Sequence, residues 1–198
     1  MAKKMELTKN FWITWIIIFL ILTVLAAVCF GVFANREEEV IVQEENGGNV
    51  ILNYSGDFPG IKLENAEATT DAVGMKKSED KDYYDFSVES TLDNATSIEY
   101  DLSIVRDKEN STIPDDEIRI YLEEEKSGTY TAVFEPKAYE ALKEDNEFGT
   151  KSGSMVLAHV KKTKSTVDHY RLRIWLNDKS VMTNGTYRVE IVVNGISQ

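Results

Sequence analysis

An alternation with a period of two limits this chain more than any other feature. In TSIEYDLSIV, Ile98, Tyr100, Leu102 and Ile104 fall on one side and Ser97, Glu99, Asp101 and Ser103 on the other. DEIRIYLEE sets Ile118, Ile120 and Leu122 against Glu117, Arg119, Tyr121 and Glu123, and YDFSVES sets Phe86 and Val88 against Asp85, Ser87 and Glu89. Such a pattern scatters apolar groups around a helix but lines them up on a strand with one face on a core. The same reasoning predicts strands over residues 50–54, 61–68, 129–134, 155–161, 168–178 and 186–193. Between them lie the turn sequences SGDFPG, DNAT, DKENSTIPDD, KSG, NEFGTKSG and NDKSVMTNG, rich in residues that accept tight backbone geometry. One interruption reads as helix: in PKAYEALKED, Pro136 suits a first turn and Ala138, Ala141 and Leu142 have helical spacing. With no strand–helix alternation, the expected fold is all-β. It is an antiparallel β-sandwich of jelly-roll or immunoglobulin-like topology, since periodicity does not encode strand order.

The front of the chain differs. Phe11 to Ala34 runs 24 residues without a charge. A helix of that length spans roughly 36 Å, against about 30 Å for a bilayer core. Trp12 and Trp15 stand where amphipathic rings favour the headgroup layer. Lys3, Lys4 and Lys9 precede the run, and Arg36 with Glu37, Glu38 and Glu39 follow it. The lysine excess places the N-terminus in the cytoplasm and the remainder outside. VFA before Asn35 offers signal-peptidase positions at Val32 and Ala34, but the apolar run exceeds the usual 7–15 residues of a signal peptide. The run therefore reads as a retained anchor. Cys29 serves there as a small apolar residue, and Ala27 with Gly31 provides one small-x-x-x-small step for close helix approach. The expected organisation is a basic cytoplasmic tail (1–10), a transmembrane helix (11–34), a juxtamembrane segment (35–48) and an extracellular β-sandwich (49–198).

Composition narrows the functions. The chain is 42% hydrophobic and 28% charged, which suits a packed domain. Residues 1–10 carry +2 and residues 11–34 nothing, so −14 falls on the remainder of a chain whose total is −12. So acidic a domain repels nucleic acid. Its lack of cysteine means no internal disulfide, which favours a bacterial surface protein over a small secreted animal domain.

Signals for catalysis are thin. His159 and His169 lie ten residues apart, without zinc-ligand spacing. No G-x-S-x-G and no phosphate-cradling loop occurs, and 34 carboxylates make any chosen acid pair arbitrary. No enzyme activity, small-molecule substrate or cofactor is expected. Calcium is the one candidate ion, at Glu79, Asp80, Asp82 and Asp85 or at Asp107, Glu109, Asp115, Asp116 and Glu117. Neither run has the EF-hand pattern, and both read as solvated loops. Asn53, Asn94, Asn110 and Asn184 begin Asn-x-Ser/Thr triplets, read here as turn chemistry.

Two stretches read as contact surfaces. In DHYRLRIWLND, Tyr170, Leu172, Ile174 and Leu176 face one way, leaving an outward row of His169, Arg171, Arg173 and Trp175. Trp and Arg often anchor interfaces, so this row is a candidate partner-contact strip. The turn after it suggests pairing with the final strand, which would bring Glu190 to the arginine side. In EVIVQ, Val40, Ile41 and Val42 form either the domain's own first strand or a segment that adds to the sheet edge of a neighbouring copy.

STLDNATSIEYDLSIV, IPDDEIRIYLEE, DHYRLRIWLND and NGTYRVEIVVNG, in that order, resemble the TasA/camelysin-type extracellular β-sandwich proteins of Gram-positive bacteria over roughly residues 85–197. The resemblance implies an exported jelly-roll domain, with members that assemble into biofilm-matrix fibres. Those precursors have short cleaved signal peptides, whereas the long apolar run here points to an anchored relative. The expected function is scaffolding or binding at the cell surface. The partners would be the lipid bilayer and other proteins or copies of the chain. The alternative is an accessory subunit whose helix packs on partner helices while the outer domain caps the assembly.

Overall fold

The computed structural model describes residues 36–41, 48–76, 83–146, 148, 151–182 and 184–197. The chain divides into two compact units, residues 1–37 and 38–198. The expected membrane helix, with Trp12, Trp15, Ala27 and Gly31, lies outside the described residues. Among the described residues no helix is long and apolar enough to cross a membrane.

The second unit is all-β. Its strands are β1 (Arg36–Ile41, shared with the end of the first unit), β2 (Gly48–Ser55), β3 (Gly60–Glu64), β4 (Tyr84–Leu92), β5 (Ile98–Arg106), β6 (Ile118–Lys126), β7 (Thr129–Ala132), β8 (Lys137–Ala138), β9 (Lys143–Glu144), β10 (Ser154–Lys162), β11 (Thr166–Leu176) and β12 (Thr186–Ser197). They form two antiparallel sheets. One has the order β1-β2-β4-β11-β6-β7 with β8 also on β6, and the other β3-β12-β5-β10-β9. One short helix, α1 (Asp71–Gly74), lies between β3 and β4.

The alternation predicts the core. Ile98, Tyr100, Leu102 and Ile104 are at most 1% exposed, Ile118, Ile120 and Leu122 are fully buried, and so are Tyr187, Val189, Ile191 and Val193. Inward residues of both sheets belong to one hydrophobic cluster. Removing each such side chain from water contributes about 1.5–3 kcal/mol. Phe86 stacks on Tyr170 with ring centres 5.5 Å apart. At one end a polar clamp fastens the loop before β6. Arg106 donates to the Ser111 and Ile113 carbonyls at 3.2 and 3.0 Å and pairs with Asp115 at 3.1 Å. The buried Tyr187 hydroxyl donates to the same carboxylate at 2.5 Å. Burial, with Asp115 beside it, pushes that hydroxyl far above the usual tyrosine range, so it stays a donor.

Three expectations are corrected. PKAYEALKED does not form a helix: it gives β8, one 3₁₀ turn at Tyr139–Ala141, and β9. β8 pairs with β6 in one sheet and β9 with β10 in the other. The stretch thus bridges the two layers, and its few helical positions are too short to sustain a helix alone. The strand expected over 61–68 ends at Glu64, because Asn65 turns the chain with a left-handed φ of 48°. Finally, β11 and β12 do not pair. The loop between them changes sheets: β11 lies between β4 and β6, and β12 between β3 and β5. Glu190 accordingly meets Lys151 at 2.5 Å, not an arginine of β11.

Candidate functional site

The outward row of β11 is largely covered. His169 is exposed. Arg171 donates through Nε and Nη2 to both oxygens of Asp85, at 2.7 and 2.9 Å, its cross-strand partner on β4. Its guanidinium lies 4.1 Å from the Tyr83 ring centre and 4.2 Å from that of Tyr130. Asp85, above all, holds it more firmly protonated than an ordinary arginine. Arg173 is 6% exposed and donates to Glu123 at 2.8 Å. Trp175 is only 1% exposed, although it points outward from its sheet, because α1 covers it. A Cβ placed on Gly74 would fall 2.4 Å from the indole Cδ2, so only glycine brings the backbone this close. Of the row expected as a partner-contact strip, His169 is exposed and Arg171 half-buried, while Arg173 is buried and Trp175 is roofed over by its own chain. The roof was hidden from sequence because Asp71–Gly74, Tyr83 and Tyr130 come from elements distant along the chain.

Beside this roof is a cleft of 520 Å³ lined by Asp71, Asp116, Glu117, Arg119, Ala138, Asn177, Asp178 and Lys179. Arg119 spans one wall, donating to both Asp71 oxygens at 3.0 and 2.7 Å and to the Pro136 carbonyl at 2.6 Å. It thereby holds α1 over Trp175. Asn177 closes the floor, with its backbone N–H on the Glu117 carbonyl at 2.9 Å and its side chain on the Asp116 carbonyl at 3.1 Å. The Glu117 Oε2 is buried without a hydrogen-bond partner among the described residues. Sequence reading singled out Asp116 and Glu117 only as part of an acidic loop. Nothing local marked Asp71, Arg119 or Asn177, which meet through the sheet register.

The acidic runs disperse. Glu79, Asp80 and Asp82 lie outside the described residues, and Asp85 serves Arg171. Asp115 belongs to the Arg106 clamp, whereas Asp116 and Glu117 turn to the cleft. Among the described residues no three acidic, histidine or cysteine side chains converge to hold a metal ion. The histidines stand on different sheets. On β10, His159 meets Asp101 at 2.8 Å and stacks on Phe148 with ring centres 5.9 Å apart.

Asp107 organises its own turn. Its carboxylate accepts from the Asn110 side chain at 2.7 Å and from the Asn110 and Glu109 backbone N–H groups at 3.1 and 3.2 Å. The Asn110 side chain, then its backbone N–H and the nearby Arg188, hold this carboxyl below the usual aspartate range. A depressed folded value stabilises the fold above the unfolded aspartate value, and the contribution disappears as pH falls through the folded one. An NMR titration of Asp107 should therefore show a low midpoint, moved upward by Asn110→Ala. An unmoved midpoint would remove the turn as its cause.

Val40 and Ile41 lie in β1, the outermost strand of the larger sheet, and Val42 lies outside the described residues. Asn94, Asn110 and Asn184 are exposed and Asn53 is half-buried in β2. Comparison with protein-family models, with characterised proteins and with solved structures finds no match to the chain.

Proposed function

We propose that this chain is a single-pass surface protein of a bacterial envelope. Its N-terminus lies in the cytoplasm, and an external β-sandwich works by binding, to other proteins or to copies of itself. The 24-residue apolar run and its lysine flank support the anchor. Successive strands β2 to β6 alternate between the sheets, as do β10 to β12. That alternation favours a jelly-roll form over an immunoglobulin-like one, whose sheets keep consecutive strands together.

The observation that carries the binding role is an open edge. β10 pairs with β5 from Ser154 to Lys162, but with β9 only at Met155 and Val156. Among the described residues no strand pairs with the other side of Ala158–Lys162, where His159 and Lys161 are exposed. Unpaired N–H and C=O groups in such a row are a template for an added strand. β1 of a neighbouring copy, itself an outermost strand and carrying Val40 and Ile41, is the strand we propose for this edge.

The test is light scattering of the full chain in detergent micelles, with and without lysine at positions 40, 41 and 42. Self-association that the lysines abolish is the expected outcome. A monomer at every concentration would overturn self-assembly, and fixed stoichiometric partners recovered through the helix would favour the accessory-subunit reading.

A further inference from the structure

Two Asn–Gly pairs fall among the described residues, Asn184–Gly185 and Asn194–Gly195, and the fold treats them oppositely. We infer that Asn184 is a site of spontaneous backbone-assisted deamidation and that the fold protects Asn194 from the same reaction. The Gly185 backbone nitrogen, on losing its proton, attacks the Asn184 side-chain carbonyl carbon. Ammonia leaves and a five-membered succinimide forms. Water then opens either ring carbonyl, giving aspartate or isoaspartate at that position. The net change is addition of one water and loss of one ammonia, so no other reactant is needed.

Glycine at the following position matters because no Cβ shields the attacking nitrogen. Asn184 is exposed and sits at φ 60° in the loop just ahead of β12, where strand pairing has not begun to hold its backbone. Among the described residues no hydrogen bond holds its side-chain amide, and none engages the Gly185 N–H. Asn194 is locked on every count. It is 3% exposed, its Nδ2 donates to the buried Asp145 carboxylate at 3.0 Å, and its backbone lies in the β12–β5 ladder opposite Asp101. Asn110, before Ser111, makes a third comparison: it is exposed, but its Nδ2 donates to Asp107 at 2.7 Å and the residue after it carries a Cβ.

Isoaspartate would also do more than add a charge. It lengthens the backbone by one carbon at the foot of β12. There the Gly185 carbonyl accepts from Asn65 at 3.2 Å, and the Thr186 N–H donates to Thr112 Oγ1 at 3.0 Å. The Gly185 Cα also sits so close to Ile113 that an added Cβ would fall 2.5 Å from its Cγ1. The isoaspartyl form should therefore melt lower than the Asn184→Asp variant, which has the charge but the normal backbone.

The experiment ages the intact full chain in detergent at mildly alkaline pH. Peptide mapping follows the NH-to-O mass exchange, with isoaspartyl methyltransferase labelling, in parallel with a sample held unfolded in urea. In the folded chain Asn184 should convert at least tenfold faster than Asn194 and Asn110. In urea, conversion at Asn184 and Asn194 should become comparable. The inference is overturned if Asn194 keeps pace with Asn184 in the folded chain. It is equally overturned if folded Asn184 converts no faster than Asn110.

Discussion

Trp175→Ala is expected to destabilise the folded chain by about 3–5 kcal/mol, the usual cost of emptying a buried aromatic site. For a chain of this size that corresponds to roughly 6–20 °C in melting temperature. The indole is only 1% exposed and fills the space beneath α1. Its loss leaves a cavity between Gly74 and Arg119, the residue opposite Trp175 on β6. The Arg119–Asp71 pair cannot close that cavity, since it fixes the first residue of α1 at 2.7 Å. Gly74→Ala approaches the same contact from above. Its methyl would sit inside the van der Waals radius of the ring, and overpacking of this kind costs about 1–3 kcal/mol. Thermal melts of both variants by circular dichroism decide the matter. Had Trp175 been a surface anchor, alanine would leave the melt within about 0.5 kcal/mol of the parent, the usual range for an exposed change. That result would sink the roofed-tryptophan account.

This contact shows what can be read along one segment and what cannot. The alternation in DHYRLRIWLND fixes which side of the sheet each residue faces, and Tyr170, Leu172, Ile174 and Leu176 are indeed inside. It says nothing about what the chain later lays over the opposite face. Trp175 and Arg173 point outward from the sheet yet are buried, because α1 and Glu123 come from elsewhere in the chain. The same limit explains the β11–β12 correction. A turn-rich loop is equally compatible with a hairpin and with a crossing between layers, and only the packing of both sheets selects the crossing. PKAYEALKED failed for a related reason. Its local spacing fits a helix, but its ends must reach strands in different sheets, β6 and β10. The cleft was the least legible feature. It is assembled from α1, the turn before β6, β6, β8 and the loop after β11, and none of its residues carries a local motif.

Leu102→Ala and Leu172→Ala should each cost about 2–5 kcal/mol, although they lie in different sheets. Both are fully buried and belong to the same hydrophobic cluster. By contrast, Asp85→Asn is expected to cost under about 1 kcal/mol. The Asp85 side chain is 45% exposed, and surface ion pairs offset little of their own desolvation and ordering. The comparison separates two ways of holding the layers together. If the shared core dominates, each leucine variant lowers the denaturant midpoint while the whole β domain still unfolds in a single transition. The pairs around Arg171 then act mainly to orient side chains on one face. If the two sheets were stabilised separately, Leu102→Ala would loosen only the sheet of β5 and β12, and fluorescence from Trp175 in the other sheet would report a later, distinct transition. In the full chain that readout calls for Trp12→Phe and Trp15→Phe, so that Trp175 alone emits. Coincidence of its fluorescence transition with the far-ultraviolet circular dichroism transition is the expected result, and a clear separation of the two would overturn the single-core account.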